Sequence, residues 1–306
     1  MTKVRNFLFH RVNPERDSLW DPMDVKLFES SIAYIKKKFD IITIEDIPSI
    51  KNNKKNYATI SFDDGYKDNI DYALPILEKY NIKASFYVVT NCIDYNIPTW
   101  TYILDYLFTH TKHQSIHLNF DFLPQAMRDV AFNHVNYRIE YAKKLKPLLK
   151  TLNHSQRSEI LQEISLVFND VELPKIMMNW DDLRKLYSLG HKIGSHTTTH
   201  NMLGTISDEN EIRFELENSR NRIKEKLGFF PATISYPIGN YNDTVIRISQ
   251  ELGYSIGLAV KQKIYNSEKD SIFDIPRIEL YNESWLKTYL RINHTLENIK
   301  RIIKYK

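Results

Sequence analysis

Short runs rich in β-branched and aromatic residues alternate along this chain with longer stretches of helical period. No other feature of the sequence restricts the fold as tightly. The runs are NFLFHRV (6–12), FDIITI (39–44), YATISF (57–62), KASFYVV (83–89), HKIGSH (191–196), ATISYP (232–237), YSIGLAV (254–260) and FDIPRIEL (273–280); their composition predicts strands. Between them, DVKLFESSIAYIKKKF sets Val25, Phe28, Ile32, Ile35 and Phe39 on one side of a helix. DENEIRFELENSRNRIKEKLG behaves similarly and ends in a glycine suited to a helix C-terminus. Strand–helix alternation predicts an α/β fold, with a parallel sheet flanked by helices and either open or closed into a barrel. The rhythm breaks over about 95–178, which is rich in helix formers and reads as a helical insertion over one end of the sheet. SWLKTYLRINHTLENIKRIIKY predicts a closing C-terminal helix over about 283–305.

With 42% hydrophobic and 26% charged residues, the 306-residue chain reads as one globular domain spanning 1–306. The formal charge of +4 comes from Lys and Arg scattered among Asp and Glu, a solvated surface rather than a nucleic-acid patch. The basic cluster KNNKK (51–55) reads as part of a solvated loop. A single cysteine, Cys92, excludes an internal disulfide and any multi-cysteine zinc site; with no base adjacent, it reads as a buried or inert thiol. No apolar stretch reaches the roughly 20 residues of a membrane span, so no stable membrane insertion is expected. No signal peptide is visible, and the expected location is cytoplasmic.

TISFDDGYKDN (59–69) runs an apolar strand directly into two adjacent carboxylates and a glycine. Neighbouring buried aspartates repel each other and are costly without compensation. The C-terminal strand ends of parallel α/β folds carry their active sites, which gives Asp63 and Asp64 a functional reading. A solvated Asp-Gly turn is the alternative, although a helical pattern follows rather than a second strand. The ligand spacing of an EF-hand is absent. Another strand ends in HKIGSHTTTHNML, where His196 and His200 are four apart and can reach one ion from a helix or a tight loop. Two histidines and one aspartate of the pair make three protein ligands with positions left open, the pattern of a catalytic metal. A cation there also lowers the cost of ionising the second aspartate beside it, freeing that group to act as a base. His191, on the same stretch, reads as an exposed residue at the start of a strand.

TISFDDG and GSHTTTHNML resemble the first two motifs of the polysaccharide deacetylases, the metal-dependent carbohydrate esterases of family 4 with a NodB homology domain. ISYPIGNYND resembles the third motif, FDIPRIEL the late Pro-Arg strand, and LFHRV with FDIITIEDI the opening of one branch of the family. The resemblance spans roughly 5–95 and 176–282. It implies a distorted (β/α)7-type barrel opening onto a groove. By position it implies Asp63 as general base and Asp64, His196 and His200 as ligands of a divalent metal, zinc first and cobalt or nickel as alternatives. It implies Thr197 as support for the metal-binding loop, Tyr236 and Pro237 as groove lining, and a backbone N–H near Ile238 or Gly239 in the oxyanion hole.

Two departures stand out. The third motif often carries an arginine that pairs with the base, and here that place reads Ser235-Tyr236; Arg277 is expected to reach Asp63 from another strand instead. The late Leu-x-x-His-Asp motif, the usual source of the general acid, is missing. His10 fits the place of the acid in one branch of the family, and a satisfied core histidine is the alternative. The expected activity is hydrolysis of the N-acetyl group of an amino sugar in a glycan or its biosynthetic precursor, with Asp63 as base and His10 as acid. The alternatives are a deformylase or O-deacylase of another acylated sugar, or a carbohydrate-binding relative without activity. Trp100 and Trp180 read as helix-packing anchors or, alternatively, as groove walls.

Overall fold

A computed structural model describes residues 2–51 and 55–295. Most of the KNNKK cluster, and the expected C-terminal helix beyond residue 295, lie outside the described residues. The strands are β1 (Lys3–Phe9), β2 (Asp40–Ile41), β3 (Tyr57–Phe62), β4 (Ser85–Val88), β5 (Ser115–His117), β6 (Asp129–Ala131), β7 (Lys192–Ser195), β8 (Thr233–Ser235), β9 (Ile256–Leu258), β10 (Tyr265–Asn266) and β11 (Ile278–Glu279). The α-helices are α1 (Val25–Lys38), α2 (Leu74–Lys79), α3 (Thr90–Tyr95), α4 (Trp100–His110), α5 (Val135–Leu149), α6 (His154–Val167), α7 (Trp180–Ser188), α8 (Glu209–Leu227), α9 (Asp243–Glu251) and α10 (Trp285–Ile292).

The main sheet runs β10-β1-β3-β4-β7-β8-β9, with β11 also beside β1 and β2 beside β3. Only the short β1–β10 pairing is antiparallel. The segment around Arg277 links the two ends of the sheet: Ile275 bridges to Leu258 of β9, and Ile278 pairs with Phe7 of β1. The result is a distorted β/α barrel with helices outside: the alternation predicts the parallel sheet and its flanking helices, open or closed, and the family resemblance implies the distorted barrel. Parallel strands covered on both faces read as continuous apolar runs, and β3 is buried at every position after Tyr57. Its Phe62 stacks on Phe86 of β4, ring centres 4.9 Å apart, and Phe9 and Phe28 close over the same cluster. Asp24 caps α1 by accepting from the Lys26 and Leu27 N–H groups, while Phe28, Ile32 and Ile35 face the core.

β1 ends at Phe9, three residues earlier than its composition suggests. Beyond it the chain leaves the sheet to bond with the segment around Met23: the Met23 N–H donates to Arg11 O and the Asn13 N–H to Met23 O, both at 3.1 Å. His10 therefore sits just past the strand end rather than inside it. Between α3 and α7, helices α4, α5 and α6 share a core of their own that includes Leu104, Phe108, Leu145, Leu149, Ile160, Ile164 and Phe168. That stretch also holds the antiparallel β5–β6 hairpin, which the sequence reading did not draw. Three-residue strands are too short for alternation to register. Among the described residues no helix is long and apolar enough to cross a membrane.

Candidate active site

The C-terminal ends of β1, β3, β7 and β8 converge on one cleft of about 180 Å³, lined among others by His10, Asp63, Asp64, His196, His200 and Ile238. Four residues on its loops hold left-handed backbone without being glycine: Asp64 (φ 73°), Thr197 (φ 68°), His200 (φ 65°) and Ile238 (φ 59°). Each such conformation costs on the order of 1 kcal/mol or more and persists only where its surroundings enforce it. After Asp64 the chain turns through Gly65 at φ 89°, where an added Cβ would lie 2.9 Å from Ile93 Cδ1. Glycine is what this turn requires.

Asp64, His196 and His200 each offer one ligand atom, all within 4.8 Å of one another, and all three residues are buried. Asp64 Oδ1 lies 3.3 Å from His196 Nε2 and 3.2 Å from His200 Nε2, yet it has no hydrogen-bond partner among the described residues. His196 Nδ1 faces the Ser235 carbonyl at 2.8 Å. That ring nitrogen must carry the proton, so Nε2 turns its lone pair towards Asp64. A buried, unpartnered carboxylate oxygen beside two imidazole nitrogens, one of them turning its lone pair inward, is a good fit for a divalent cation. Burial raises the Asp64 carboxyl, but His200 and His196 outweigh it and hold it well below the usual range. Burial lowers both imidazoles; Asp63 and Asp64 reverse that for His196, whereas His200 stays below its ordinary value.

The histidines sit on a loop rather than a helix. Thr197 Oγ1 accepts the His200 N–H at 3.1 Å. Buried Glu215, on α8, accepts the N–H groups of Thr198 and Thr199, each at 2.9 Å, and the Asn201 side chain, also at 2.9 Å. Trp100 Nε1 donates to the His200 carbonyl at 3.2 Å, while Trp180 Nε1 donates to Asp94 at 2.8 Å; both tryptophans act as anchors. Nothing in the sequence pattern marked Glu215, because its partners are backbone and side-chain groups of a preceding loop, 14–17 residues away, that no helical spacing links to it. His191 is fully buried, not exposed: its ring meets Phe86 edge-on and its Nδ1 accepts the Ala84 N–H at 3.1 Å.

Asp63 is buried beside the triplet. The Arg277 Nη1 donates to its Oδ1 at 2.7 Å and Nη2 to its Oδ2 at 2.6 Å. Ser235, where an arginine was expected, donates its hydroxyl to Asp63 Oδ2 at 3.0 Å and accepts from Arg277 Nη2 at 2.7 Å. A small residue there makes room for a guanidinium arriving from the Pro276-Arg277 segment. Burial pushes the Asp63 carboxyl up, but Arg277 and His196 outweigh it and hold it below its ordinary value.

His10 Nδ1 lies 3.4 Å from Glu279 Oε1, and its ring meets Trp20 edge-on at 5.4 Å. Trp20 and Glu279 line the cleft, as do Thr101 and Asp105 of α4 and Lys146 and Lys150 in or just after α5. None of these was singled out from sequence, because an isolated residue on a helix, a strand end or an irregular stretch carries no pattern that marks it for the cleft. Tyr236 and Pro237 do not line the groove: both are buried, and Tyr236 stacks on Tyr241 at 4.6 Å within the core. The Gly239 N–H is already given to the Tyr236 carbonyl at 2.8 Å. That leaves the N–H of Ile238, which does line the cleft, as the candidate oxyanion donor. Cys92 is buried, and burial pushes its thiol up and away from thiolate chemistry.

The family model for polysaccharide deacetylase matches residues 50–257. The chain is 34% identical over 79 residues to chitin deacetylase 1 of Cryptococcus neoformans var. grubii, covering 26% of this chain and 17% of that protein. It is 27% identical over 112 residues to the uncharacterised protein YlxY of Bacillus subtilis, covering 37% and 31%. The chain thus spans less than a third of the length of either relative. Among solved structures, the Streptococcus pyogenes deacetylase PplD in complex with acetate superposes with a TM-score of 0.63 at 16% identity, covering 95% of this chain and 98% of that one. At that identity the likeness concerns the fold alone.

Proposed function

The chain belongs to the polysaccharide deacetylase family, and on that premise we propose that it hydrolyses the N-acetyl group of an amino sugar in an oligo- or polysaccharide or its biosynthetic precursor. The observation that carries this reading is Asp63, a buried carboxylate held by Arg277 directly beside a triplet of ligands fit for a cation. A divalent ion held by Asp64, His196 and His200, with zinc the first candidate, supplies Lewis acidity that makes a water acidic near neutral pH and draws charge from the acyl oxygen.

The remaining work falls to the chain's own residues. Asp63 takes the proton of the attacking water as its oxygen bonds to the acyl carbon. Arg277 is a positioning residue that keeps Asp63 ionised and fixes the direction of its free lone pairs. The Ile238 N–H faces the charge that develops on the acyl oxygen. His10, its ring set by Glu279, gives a proton to the sugar nitrogen as the C–N bond breaks, and acetate leaves. Acid and base contributions of this kind are each worth roughly 10²–10⁴ in rate.

The test is acetate release from N-acetylglucosamine oligomers, with and without a chelator and with Asp63→Asn alongside. Release that the chelator stops, that added zinc restores and that Asp63→Asn lowers by about 10²–10⁴ is the expected result. Formate release in place of acetate would overturn the acetyl assignment. Near-wild-type turnover in Asp63→Asn would overturn the base, and the lack of any acid release from acylated sugars would overturn the enzyme reading itself.

A further inference from the structure

The charged groups lining the cleft pair off, with one exception. Asp63 is held by Arg277, Asp105 by Lys146, and Glu279 faces His10; Asp64 belongs to the ligand triplet. Lys150, the residue that caps the C-terminus of α5, lines the same cleft. Among the described residues it makes no ion pair within 4 Å. It is only partly exposed; burial, with Lys146 adding to it, outweighs the opposing pull of Glu279 and Asp105 and pushes its ammonium below the usual range. The carboxylates that act on it, Glu279 and Asp105, are directly paired with His10 and Lys146, so a partly desolvated ammonium is left without a direct ion pair and gains from a partner that supplies one. The neighbouring lining suits a sugar: the Trp20 ring offers an apolar face and Thr101 a hydroxyl.

We propose that Lys150 receives an anionic group of the substrate, so that the preferred acyl amino sugar carries a phosphoryl or carboxylate group rather than being neutral. The acyl part of this inference rests on the deacetylase reading; the anion part rests on the cleft charges alone. Lys146 does not compete for the role, because Asp105 already occupies it.

Calorimetric binding to the full zinc-loaded chain separates the possibilities, using N-acetylglucosamine, its 1-phosphate, and the corresponding N-acetylated uronic acid. Wild type is expected to favour at least one anionic probe over the neutral sugar by about tenfold or more, the scale of one charge-assisted hydrogen bond, and less so at high salt. In Lys150→Met that ratio falls towards one, and Lys150→Arg restores most of it. Preference for the phosphate alone identifies a phosphorylated substrate, and preference for the uronate alone an acidic glycan. A ratio that stays high in Lys150→Met means the anion sits on the ion rather than on the lysine, and overturns the proposal. So does the lack of any preference at millimolar concentration, which would mark Lys150 as a residue that merely complements the end of α5. Acetate release is followed in parallel. A Lys150-dependent preference without acetate release leaves this inference standing and the deacetylase reading overturned; acetate release without that preference does the reverse.

Discussion

Arg277 grips both carboxylate oxygens of Asp63, at 2.7 and 2.6 Å, and both side chains are buried. A bidentate pair of this kind trades solvation of two charges for mutual attraction and fixed geometry. Removing one partner leaves the other buried without the counter-charge that holds it, with the Ser235 hydroxyl still bonded to it. Arg277→Met is therefore expected to cost about 3–5 kcal/mol of stability and to let the Asp63 carboxyl rise, moving the acid limb of the rate profile to higher pH. Arg277→Lys keeps the charge but not the two-point grip, so it should recover part of the stability and little of the rate. Denaturant unfolding and a pH–rate profile check this; an Arg277→Met protein as stable as wild type would show that the pair does not carry what its geometry indicates.

Glu215 touches none of the three cation ligands, yet it gathers the N–H groups of Thr198 and Thr199 between His196 and His200. Groups that orient ligands are typically worth 10–100-fold in metal affinity. Glu215→Ala should lower zinc affinity on that scale with all three ligands still present, whereas His200→Ala should lose the ion outright. Competition against a graded series of chelators reads the first, and elemental analysis of the purified protein the second. Unchanged zinc affinity in Glu215→Ala would mean that the loop holds its shape without the clamp.

The contact between His10 and Glu279 predicts a separable effect on the leaving-group step. His10→Ala should lower kcat by about 10²–10⁴ and leave zinc content untouched. Glu279→Gln retains an oxygen near the ring but not the charge, and should cost about tenfold or somewhat more. The two should be far from additive in the double variant, since one acts through the other. Additive losses would separate Glu279 from His10.

These relationships differ in how they could be read from the chain. The strand run 57–62 and the two aspartates after it were legible because a local apolar pattern ends where parallel strands present their chemistry. His196 and His200 were legible by spacing. Arg277 was legible only through the gap it fills, a serine at 235 where a charge was wanted. Its contact with Asp63 joins positions 214 apart, and no local pattern encodes that. Glu215, Trp20, Asp105 and Lys150 were not legible at all, because each reaches the cleft or its loops through the course of a whole helix or irregular segment. Tyr236 was misplaced for a related reason: position in a motif does not say which side of the strand end a ring will take, and the core took it. His191 was misread as exposed because the start of a strand is usually wet, whereas here Phe86 and the backbone at Ala84, just before β4, cover it.

Burial of His191 gives a stability prediction independent of activity. Burial, with nearby Lys83 adding to it, lowers this imidazole from 6.5 to about 4; Glu78 opposes the shift without overcoming it. The neutral ring accepts the Ala84 N–H at Nδ1, and protonation there would destroy that bond. Between pH 4 and 6.5 the unfolded chain therefore binds a proton that the folded chain refuses. Stability rises with pH across that window, is complete above 6.5, and is lost as pH falls towards 4. The size of the shift corresponds to about 3 kcal/mol at full extent. His191→Asn keeps an acceptor for Ala84 and removes the titration. Its unfolding free energy, compared with wild type by urea denaturation at intervals from pH 7 to 4, should fall less steeply on acidification. Parallel curves for the two proteins would show that His191 takes up its proton within the fold as readily as outside it.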